Sequence, residues 1–281
     1  MLWRAKTFEF QFPRPTLVVG VVNVTPDSFS DGGQYFSPES AVAHGVRLCG
    51  DGADLLDIGG ESTRPGAIPV PEDEELHRVL PVIRQLREAV SVPLSIDTCK
   101  PRVAALAIEA GASVINDVAS GRPGDAMLEV VARTGAGYVA MHMQGTPESM
   151  QQAPVYTDVV AEVRAFFSQI LDRAVRIGVS PEQIVLDVGI GFGKNLEHNL
   201  ELLGRIGAFR ELRRPLMLGV SRKSFIGRLV EAPVDHRLPG GLAAACVGVA
   251  DGVSLIRTHD VAETVQALRV AESILRHRTG P

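Results

Sequence analysis

The stretch LSIDTCKPRVAALAIEAGASVIND, residues 94–117, has the sequence pattern of a strand, a helix and a second strand. A short run at 94–96, apolar except for Ser95, ends in polar residues, and the pattern at 103–110 places apolar residues three and four positions apart. Gly111 follows this helical pattern, where a left-handed C-cap is favoured, and a second apolar run at 114–115 again ends in polar residues. The stretch therefore predicts one unit of a parallel β/α fold.

The same unit recurs along the whole chain. Apolar runs without polar alternation are typical of parallel strands covered on both faces. Eight mainly apolar runs approach this description, three of them with one polar residue (Asp57, Ser95 or Ser254): 17–22, 55–58, 94–96, 114–115, 138–141, 184–186, 216–220 and 253–256. The clearest helical patterns lie at 72–89, 103–110, 126–133, 159–177 and 262–275. We predict a single (β/α)8 TIM barrel domain over residues 1–281, with a doubly wound open sheet as the alternative.

Local signals refine this prediction. An alternating segment at 6–12 predicts a short extra strand in an N-terminal β extension of about residues 1–15. Several glycines lie between a helical pattern and the next strand, where a left-handed residue ends the helix. They are Gly52, Gly111, Gly135, Gly178 and Gly252.

The composition argues against several classes of protein. Among 281 residues, 28 lysines and arginines against 33 aspartates and glutamates give a net charge of −5, so we expect no nucleic-acid or membrane partner. The three cysteines are widely spaced and predict neither a disulfide framework nor a zinc site. The N-terminus lacks the order of a signal peptide, and the longest apolar run, 240–250, is too short to cross a bilayer. We expect a cytoplasmic protein.

All eight predicted strands end in ionisable or amide side chains. In a (β/α)8 barrel the loops after the strands form one face, and this face carries the reactive groups. An alternative role as helix caps or turn residues suits Thr98, Asp117 and Asp260. Cations at helix starts do not suit that role, because they oppose the helix macrodipole, and they indicate an anionic ligand. These cations are Arg64, Lys223 and Arg257.

The polar strand ends fall into two chemical groups. Guanidinium, imidazole and amide groups could converge on a phosphate or diphosphate, where an amide oxygen can also ligate Mg²⁺. This group comprises Asn23, Arg64, Arg257 and His259. Short acceptors and amides could bind the edge of a planar heterocycle, although a structural role for the carboxylates is the alternative. This second group comprises Asp97, Asn116 and Asp187.

The glycine-rich segments and the apolar residues near the strand ends bear on which other ligands the chain could bind. The segment GIGFGK at 189–194 lacks the hydroxyl residue and the spacing of a phosphate-binding P-loop, so no nucleoside triphosphate site is predicted. Met141 and Phe192 lie beside the polar strand ends, where a core role is the alternative to ligand contact. Phe29 and Pro65 lie in long glycine-rich loops and could cover an aromatic ligand.

Several motifs resemble the dihydropteroate synthase family of pterin-binding TIM barrels. The longest are GVVNVTPDSFSDGG at 20–33 and DIGGESTRPG at 57–66. Shorter ones follow in the family order: SIDT at 95–98, ND at 116–117, MHMQG at 141–145, GVSRKS at 219–224 and RTHD at 257–260. The resemblance covers nearly the whole chain. One departure is Val188, which stands where the family usually has proline and changes the loop after Asp187 but not its carboxylate.

The resemblance implies a transferase of folate biosynthesis. It implies that 6-hydroxymethyl-7,8-dihydropterin diphosphate condenses with p-aminobenzoate, with Mg²⁺ as cofactor, in a cytoplasmic homodimer that is a sulfonamide target. The implied pterin-binding residues are Asp97, Asn116, Met141, Asp187 and Lys223. The implied diphosphate-binding residues are Asn23, which also ligates the metal, Thr63, Arg64, Arg257 and His259. The implied p-aminobenzoate-binding residues are Phe29, Pro65, Phe192 and Ser224. Catalysis is assigned to Asp97, Lys223, Arg64 and Arg257.

Two other functions stay open at this point. A pterin-binding barrel could instead donate a methyl group from methyltetrahydrofolate to a corrinoid protein, which needs no diphosphate site. Arg64, Arg257 and His259 favour the synthase over this alternative. A catalytically silent paralogue that binds a pterin or a partner is the second alternative. The family mechanism implies a dissociative substitution, in which the diphosphate leaves before the weakly nucleophilic aryl amine attacks.

Overall fold

The computed structural model describes residues 1–25, 38–62, 66–120, 124–146 and 149–278. Within them, eight parallel strands form a closed barrel. These strands are β3 (Leu17–Asn23), β4 (Leu55–Gly59), β5 (Leu94–Asp97), β6 (Val114–Asp117), β7 (Gly137–Met141), β8 (Ile184–Asp187), β9 (Leu216–Gly219) and β10 (Leu255–Thr258). Their order around the barrel is β10-β3-β4-β5-β6-β7-β8-β9. Pairing of β10 with β3 closes the sheet, so the predicted TIM barrel is confirmed and the open sheet is wrong.

Helices follow the barrel strands and cover the outside of the sheet. The helices of the described residues are α1 (Pro38–Gly50), α2 (Glu72–Ala89), α3 (Pro101–Glu109), α4 (Ala126–Thr134), α5 (Val159–Ile177), α6 (Leu196–Gly204), α7 (Ser224–Val230), α8 (Leu238–Ala250) and α9 (Val261–Arg278). Helix α3 begins before the predicted residue 103, because Pro101 suits a first turn, where a missing N–H costs no hydrogen bond. No helix in the described ranges has the length and hydropathy required for a membrane span.

The glycines predicted to end helices adopt left-handed backbone conformations. Gly135 caps α4 with φ 68°, and Gly178 caps α5 with φ 99°. The other three predicted glycines also have positive φ. A residue with a β-carbon is disfavoured in this conformation, which explains why glycine marks these boundaries so consistently.

The N-terminal extension is a two-stranded hairpin, whereas the sequence predicted one strand at 6–12. Strands β1 (Leu2–Ala5) and β2 (Phe8–Gln11) pair antiparallel around a turn at Lys6, which has φ 56°. The apolar face of the hairpin covers the amino-terminal end of the barrel. There Trp3 is fully buried and donates from Nε1 to Gln183 O at 3.1 Å.

Side-chain alternation along the strands separates an apolar lower barrel from a polar upper barrel. Interior side chains near the strand starts pack against the hairpin, as Val114 and Leu255 do. Because side chains alternate with a period of two, the interior position two residues later faces the same space. Four strands carry a polar residue at that later position: Asp57 after Leu55, Asn116 after Val114, Asp187 after Val185, and Arg257 after Leu255.

Candidate active site

At the carboxyl ends of the strands, one guanidinium joins two buried carboxylates. Arg257 donates from Nε to Asp57 Oδ2 at 2.7 Å and from Nη2 to Asp97 Oδ2 at 2.9 Å. Asn116 donates from Nδ2 to the same Asp57 oxygen at 2.9 Å. Strands β4, β5, β6 and β10 therefore meet in one network, here called the Arg257 network, which comprises Asp57, Asp97, Asn116 and Arg257.

The Arg257 network combines two carboxylates with a single guanidinium. Burial and then the Asp57 carboxylate raise the pKa of Asp97, and Arg257 opposes the shift. Burial acts against the charge of Arg257, but Asp57 and Asp97 together raise its pKa. The second oxygen of Asp97, Oδ1, is buried and accepts no hydrogen bond from any residue that the structure describes. Asp97 can therefore accept an N–H group of a ligand.

A second charged group lies between β8 and β9. Asp187 Oδ1 accepts from the Gly189 backbone N–H at 2.8 Å. Burial raises the pKa of Asp187, while the Gly189 bond and the charge of Lys223 oppose the shift. Lys223 Nζ lies 4.1 Å from the centre of the Phe192 ring, and burial lowers the pKa of Lys223 to about 8. The Lys223 ammonium therefore makes a cation–π contact with Phe192, which leaves the other face of the ring for a ligand.

An apolar wall adjoins these charged groups. Met141 ends β7 in register with Asp187, and it packs with Val118 and two further methionines, Met143 and Met150. Phe192, which is partly buried, packs against this cluster. Polarizable thioethers adapt readily to the flat face of an aromatic ligand, so the wall complements the hydrogen-bonding edge formed by the carboxylates.

His259 lies beside the loop that follows β9. Its Nδ1 is 3.0 Å from Ser221 Oγ. Burial and the nearby arginines Arg257 and Arg222 lower the pKa of His259 to about 3, so the ring is neutral at neutral pH. Arg222 donates from Nη2 to Asp260 Oδ1 at 2.5 Å, so Asp260 forms an ion pair besides its predicted role at a helix start.

The other predicted site residues lie around these groups or outside the described residues. Asn23 is the half-buried last residue of β3, and Ser224 is the exposed first residue of α7. Four predicted residues fall outside the described ranges: Phe29, Thr63, Arg64 and Pro65.

Arg257 was predicted to bind diphosphate. Two of its donor atoms contact carboxylates, and no described residue accepts from Nη1.

A lysine outside the predicted site joins the segments that flank the loop after β4. Lys100 Nζ contacts Glu61 Oε2 and Glu75 Oε2, each at 2.5 Å, and donates to Val70 O at 2.7 Å. Val70 in turn donates from its backbone N–H to Glu61 Oε1 at 3.2 Å. Lys100 thereby ties Glu61 before this loop and Val70 after it to helix α2.

Lys194 is a further residue that has no role in the predictions from sequence. Its side chain is 2% exposed, and Nζ lies within 3.3 Å of His142 Nδ1 and of three carbonyl oxygens, those of His142, Gly189 and Phe192. Burial lowers the pKa of Lys194, and Asp187 opposes the shift. The ammonium group thus joins the loop after β7 to the loop after β8. A lysine after three alternating glycines was the available signal in the sequence.

We expect Lys194→Met to destabilise the protein, because it removes the hydrogen bonds that Nζ donates to the buried carbonyl groups of His142 and Gly189 and to the partly buried one of Phe192. A loss of about 3 kcal/mol corresponds to a decrease of roughly 6–12 °C in the unfolding midpoint at this chain length. Thermal unfolding measures this change, with Lys6→Met in the exposed hairpin turn as the matched control. Equal midpoints for both variants would show that the Lys194 contacts contribute no stability.

Comparisons with known proteins find relatives over nearly the whole chain. The family model described as pterin binding enzyme matches residues 19–259. A dihydropteroate synthase of Escherichia coli K12 is 47% identical over 259 residues, which cover 92% of this chain and 91% of the relative.

Solved structures resemble the whole chain. The Yersinia pestis dihydropteroate synthase in a sulfonamide drug complex has a TM-score of 0.92 and 43% identity, covering 98% of this chain and 99% of that one. The Xanthomonas albilineans dihydropteroate synthase with 4-aminobenzoic acid has a TM-score of 0.90 and 45% identity, covering 98% of each chain. A structure of the same Xanthomonas enzyme with 7,8-dihydropteroate has a TM-score of 0.88 and 42% identity, covering 98% of each chain. With its fold, its strand-end chemistry and these relatives in agreement, the chain belongs to the dihydropteroate synthase family of pterin-binding enzymes.

Proposed function

We propose that this chain condenses 6-hydroxymethyl-7,8-dihydropterin diphosphate with p-aminobenzoate to give 7,8-dihydropteroate and diphosphate. The observation that carries the proposal is the set of buried hydrogen-bonding groups on β5, β6 and β8, which lies beside the cations Lys223 and Arg257. A pterin diphosphate needs both parts, because its ring presents N–H donors and its leaving group is anionic. The Xanthomonas relative holds p-aminobenzoate in one structure and the dihydropteroate product in another.

In the proposed pterin site, acceptors bind the ring edge and apolar groups cover its face. Asp97 and Asp187 accept N–H groups, and Asn116 presents its amide between them. Lys223 donates to a ring oxygen or nitrogen, and Met141 packs against the ring. Charge-assisted bonds of this kind are roughly twice as strong as neutral ones, so the carboxylates would supply most of the pterin affinity.

In the proposed diphosphate site, cations and neutral donors hold the leaving group. Arg257 offers Nη1, and the neutral ring of His259 offers the nitrogen that does not face Ser221. Thr63 and Arg64 are proposed for the same site on the family motif.

Asn23 is proposed to ligate Mg²⁺. No cluster of three or more His, Cys, Asp or Glu side chains that could hold a metal occurs in the described residues. A single amide oxygen from Asn23 is enough for Mg²⁺, because this ion keeps several waters and binds mainly through substrate phosphates. When bound, Mg²⁺ supplies positive charge that stabilises the departing diphosphate.

The proposed p-aminobenzoate site lies next to the pterin site. Phe192 and the stem of Lys223 enclose the ring, and Phe29 and Pro65 complete the enclosure on the family motif. Ser224, the first residue of α7, binds the carboxylate. The amine nitrogen is then directed towards the methylene carbon of the pterin.

The proposed reaction order follows from the weak nucleophilicity of an aryl amine. The bond between carbon and the diphosphate oxygen breaks first, and its electron pair leaves with the diphosphate. The pterin ring delocalises the methylene cation, and the charges of Asp97 and Asp187 favour that cation. The amine nitrogen then bonds to the methylene carbon and releases its proton.

A diphosphate-release assay tests the proposed function. We expect net release from the pterin diphosphate to be linked to dihydropteroate formation. It should require Mg²⁺, because the leaving group needs charge stabilisation, and p-aminobenzoate, because the methylene cation recombines with diphosphate unless the amine captures it. A methyltransferase would release no diphosphate, and a silent paralogue would bind the pterin without turnover. Release at an equal rate without p-aminobenzoate would contradict the proposed condensation.

The assembly and location are proposed with the function. We propose a cytoplasmic homodimer that associates through the C-terminal helices α8 and α9. Three apolar side chains on these helices support that surface, because more than half of each is exposed: Val247, Val270 and Ile274. Sulfonamides would compete for the p-aminobenzoate site, as the drug complex of the Yersinia relative suggests.

A further inference from the structure

Asp57 receives two hydrogen bonds on a single oxygen. Its Oδ2 accepts from Arg257 Nε at 2.7 Å and from Asn116 Nδ2 at 2.9 Å, and the residue is 1% exposed. It has no assigned role in the proposed pterin, diphosphate or p-aminobenzoate sites. Both donors, in contrast, belong to those sites, so Asp57 lies one hydrogen bond away from the substrate.

The bond from Asn116 fixes the direction of an amide. A carboxamide has a donor end and an acceptor end. Asp57 holds the Nδ2 end, so the Oδ1 end is left to accept an N–H group of a ligand. Without the Asp57 carboxylate, the amide could turn by half a rotation and present its own N–H groups to the donors of the pterin.

The bond from Arg257 fixes the plane of a guanidinium. Its Nε contacts Asp57 and its Nη2 contacts Asp97, so two strands determine its orientation. Within the described part of the chain no residue accepts from Nη1. The N–H groups of Nη1, together with the second N–H of Nη2, are therefore available to an anionic ligand, in the planar geometry that favours phosphate oxygens.

We propose that Asp57 is a positioning residue of the pterin site. It fixes the acceptor end of Asn116 and the plane of Arg257, and it acts on the substrate through these two side chains. The inference rests on the pterin-site and diphosphate-site roles proposed above for Asn116, Asp97 and Arg257.

The charge of Asp57 gives this role a measurable signature. Burial and the Asp57 carboxylate raise the pKa of Asp97, which also faces Arg257, Glu75 and Asp117. Neutralising Asp57 therefore lowers the pKa of Asp97. The ionised carboxylate, which accepts N–H groups, then persists to lower pH. Water admitted by a packing defect would lower the pKa of Asp97 as well, because burial is the largest cause that raises it. Asp57→Asn, which keeps the side-chain volume, therefore isolates the effect of the charge.

Asp57→Asn tests the proposal in the full-length chain. We expect the dissociation constant of 6-hydroxymethylpterin, measured by calorimetry, and the KM for the pterin diphosphate to rise on the order of 10-fold. The KM for p-aminobenzoate should change less than about twofold, because Asp57 contacts no residue proposed for that site. The acidic limb of kcat/KM for the pterin diphosphate should move to lower pH.

Two further variants control this test. Asp54→Asn removes a carboxylate just before β4, at the other end of the strand, where Asp54 Oδ2 accepts from Val18 N–H at 2.8 Å. It should leave pterin affinity and the acidic limb unchanged. Asp57→Ser also removes the charge and should change both quantities in the same direction as Asp57→Asn, so it provides the test if the asparagine variant does not fold.

The outcomes separate this inference from the proposed function. Equal increases in both KM values, or parental pterin affinity with an unmoved acidic limb, would overturn the role of Asp57. If Asp97→Asn weakens pterin binding and Asp57→Asn does not, the positioning role alone fails. If neither variant weakens pterin binding, the proposed pterin site fails as well.

Discussion

An Asp97→Asn variant should bind 6-hydroxymethylpterin on the order of 100-fold more weakly than the parent chain, with an unchanged or raised unfolding midpoint. The affinity falls because an amide cannot accept on both of its ends. Asp97 Oδ2 accepts from Arg257 at 2.9 Å, and the buried Oδ1 is the acceptor left for the ligand. In the variant, the remaining oxygen serves Arg257 and an N–H group faces the pterin donors.

The expected stability of this variant follows from the sign of the pKa shift. Burial and Asp57 raise the pKa of Asp97 above its unfolded value, so the native state holds its proton to higher pH than the unfolded state does. Stability therefore decreases as pH rises from the unfolded pKa through the native pKa. At neutral pH the buried, ionised carboxylate of Asp97 destabilises the native state. Asparagine removes this destabilisation, and its oxygen still accepts a hydrogen bond from Arg257.

Calorimetry and thermal unfolding on the same preparations test both parts of this prediction. Asp73→Asn is the matched control, because it makes the same substitution on a side chain that is 85% exposed on α2. It should change neither pterin affinity nor the unfolding midpoint. Parental affinity in Asp97→Asn would remove Asp97 from the pterin site. Loss of affinity together with a lowered midpoint would instead indicate a structural role.

The barrel was predictable because its signals are local. A short apolar run and a polar end recur in every unit, a glycine follows five of the helices, and each signal depends on a few neighbouring residues. The period of two along a strand even predicts that Asp57, Asn116, Asp187 and Arg257 share the interior with the apolar residues two positions earlier. The hairpin was only half predicted, because its turn at Lys6 has no glycine to mark it.

The partners of long side chains were not predictable from sequence. A strand end gives the position of Arg257, but its guanidinium reaches across the barrel to Asp57, 200 residues earlier in the chain. The same holds for Lys194. In the sequence it ends a glycine-rich segment that does not match a nucleotide-binding motif, and only the structure shows that its Nζ donates to carbonyl groups. Asp57 stands inside a recognised motif, yet only the two bonds on its Oδ2 indicate what it does.

Lys223→Met should lower kcat/KM for the pterin diphosphate roughly 30- to 100-fold, which corresponds to about 2–3 kcal/mol for a hydrogen bond from a charged donor. Methionine keeps an unbranched apolar stem beside Phe192 and removes the ammonium, which lies 4.1 Å from the ring centre. The loss should therefore reflect the charge more than the packing. Lys6→Met, in the exposed hairpin turn, is the matched control and should keep the parental kcat/KM.

The pH dependence distinguishes a required cation at this position from a required shape. Burial lowers the pKa of Lys223 to about 8, so the ammonium is present below that pH and is lost as pH rises through it. We therefore expect kcat/KM of the parent chain to decrease above pH 8, since this parameter reports the free enzyme. Lys223→Arg should extend the plateau to higher pH, because a guanidinium stays protonated there. An alkaline limb at the same pH in Lys223→Arg would assign that limb to another group and leave Lys223 without a titrating role.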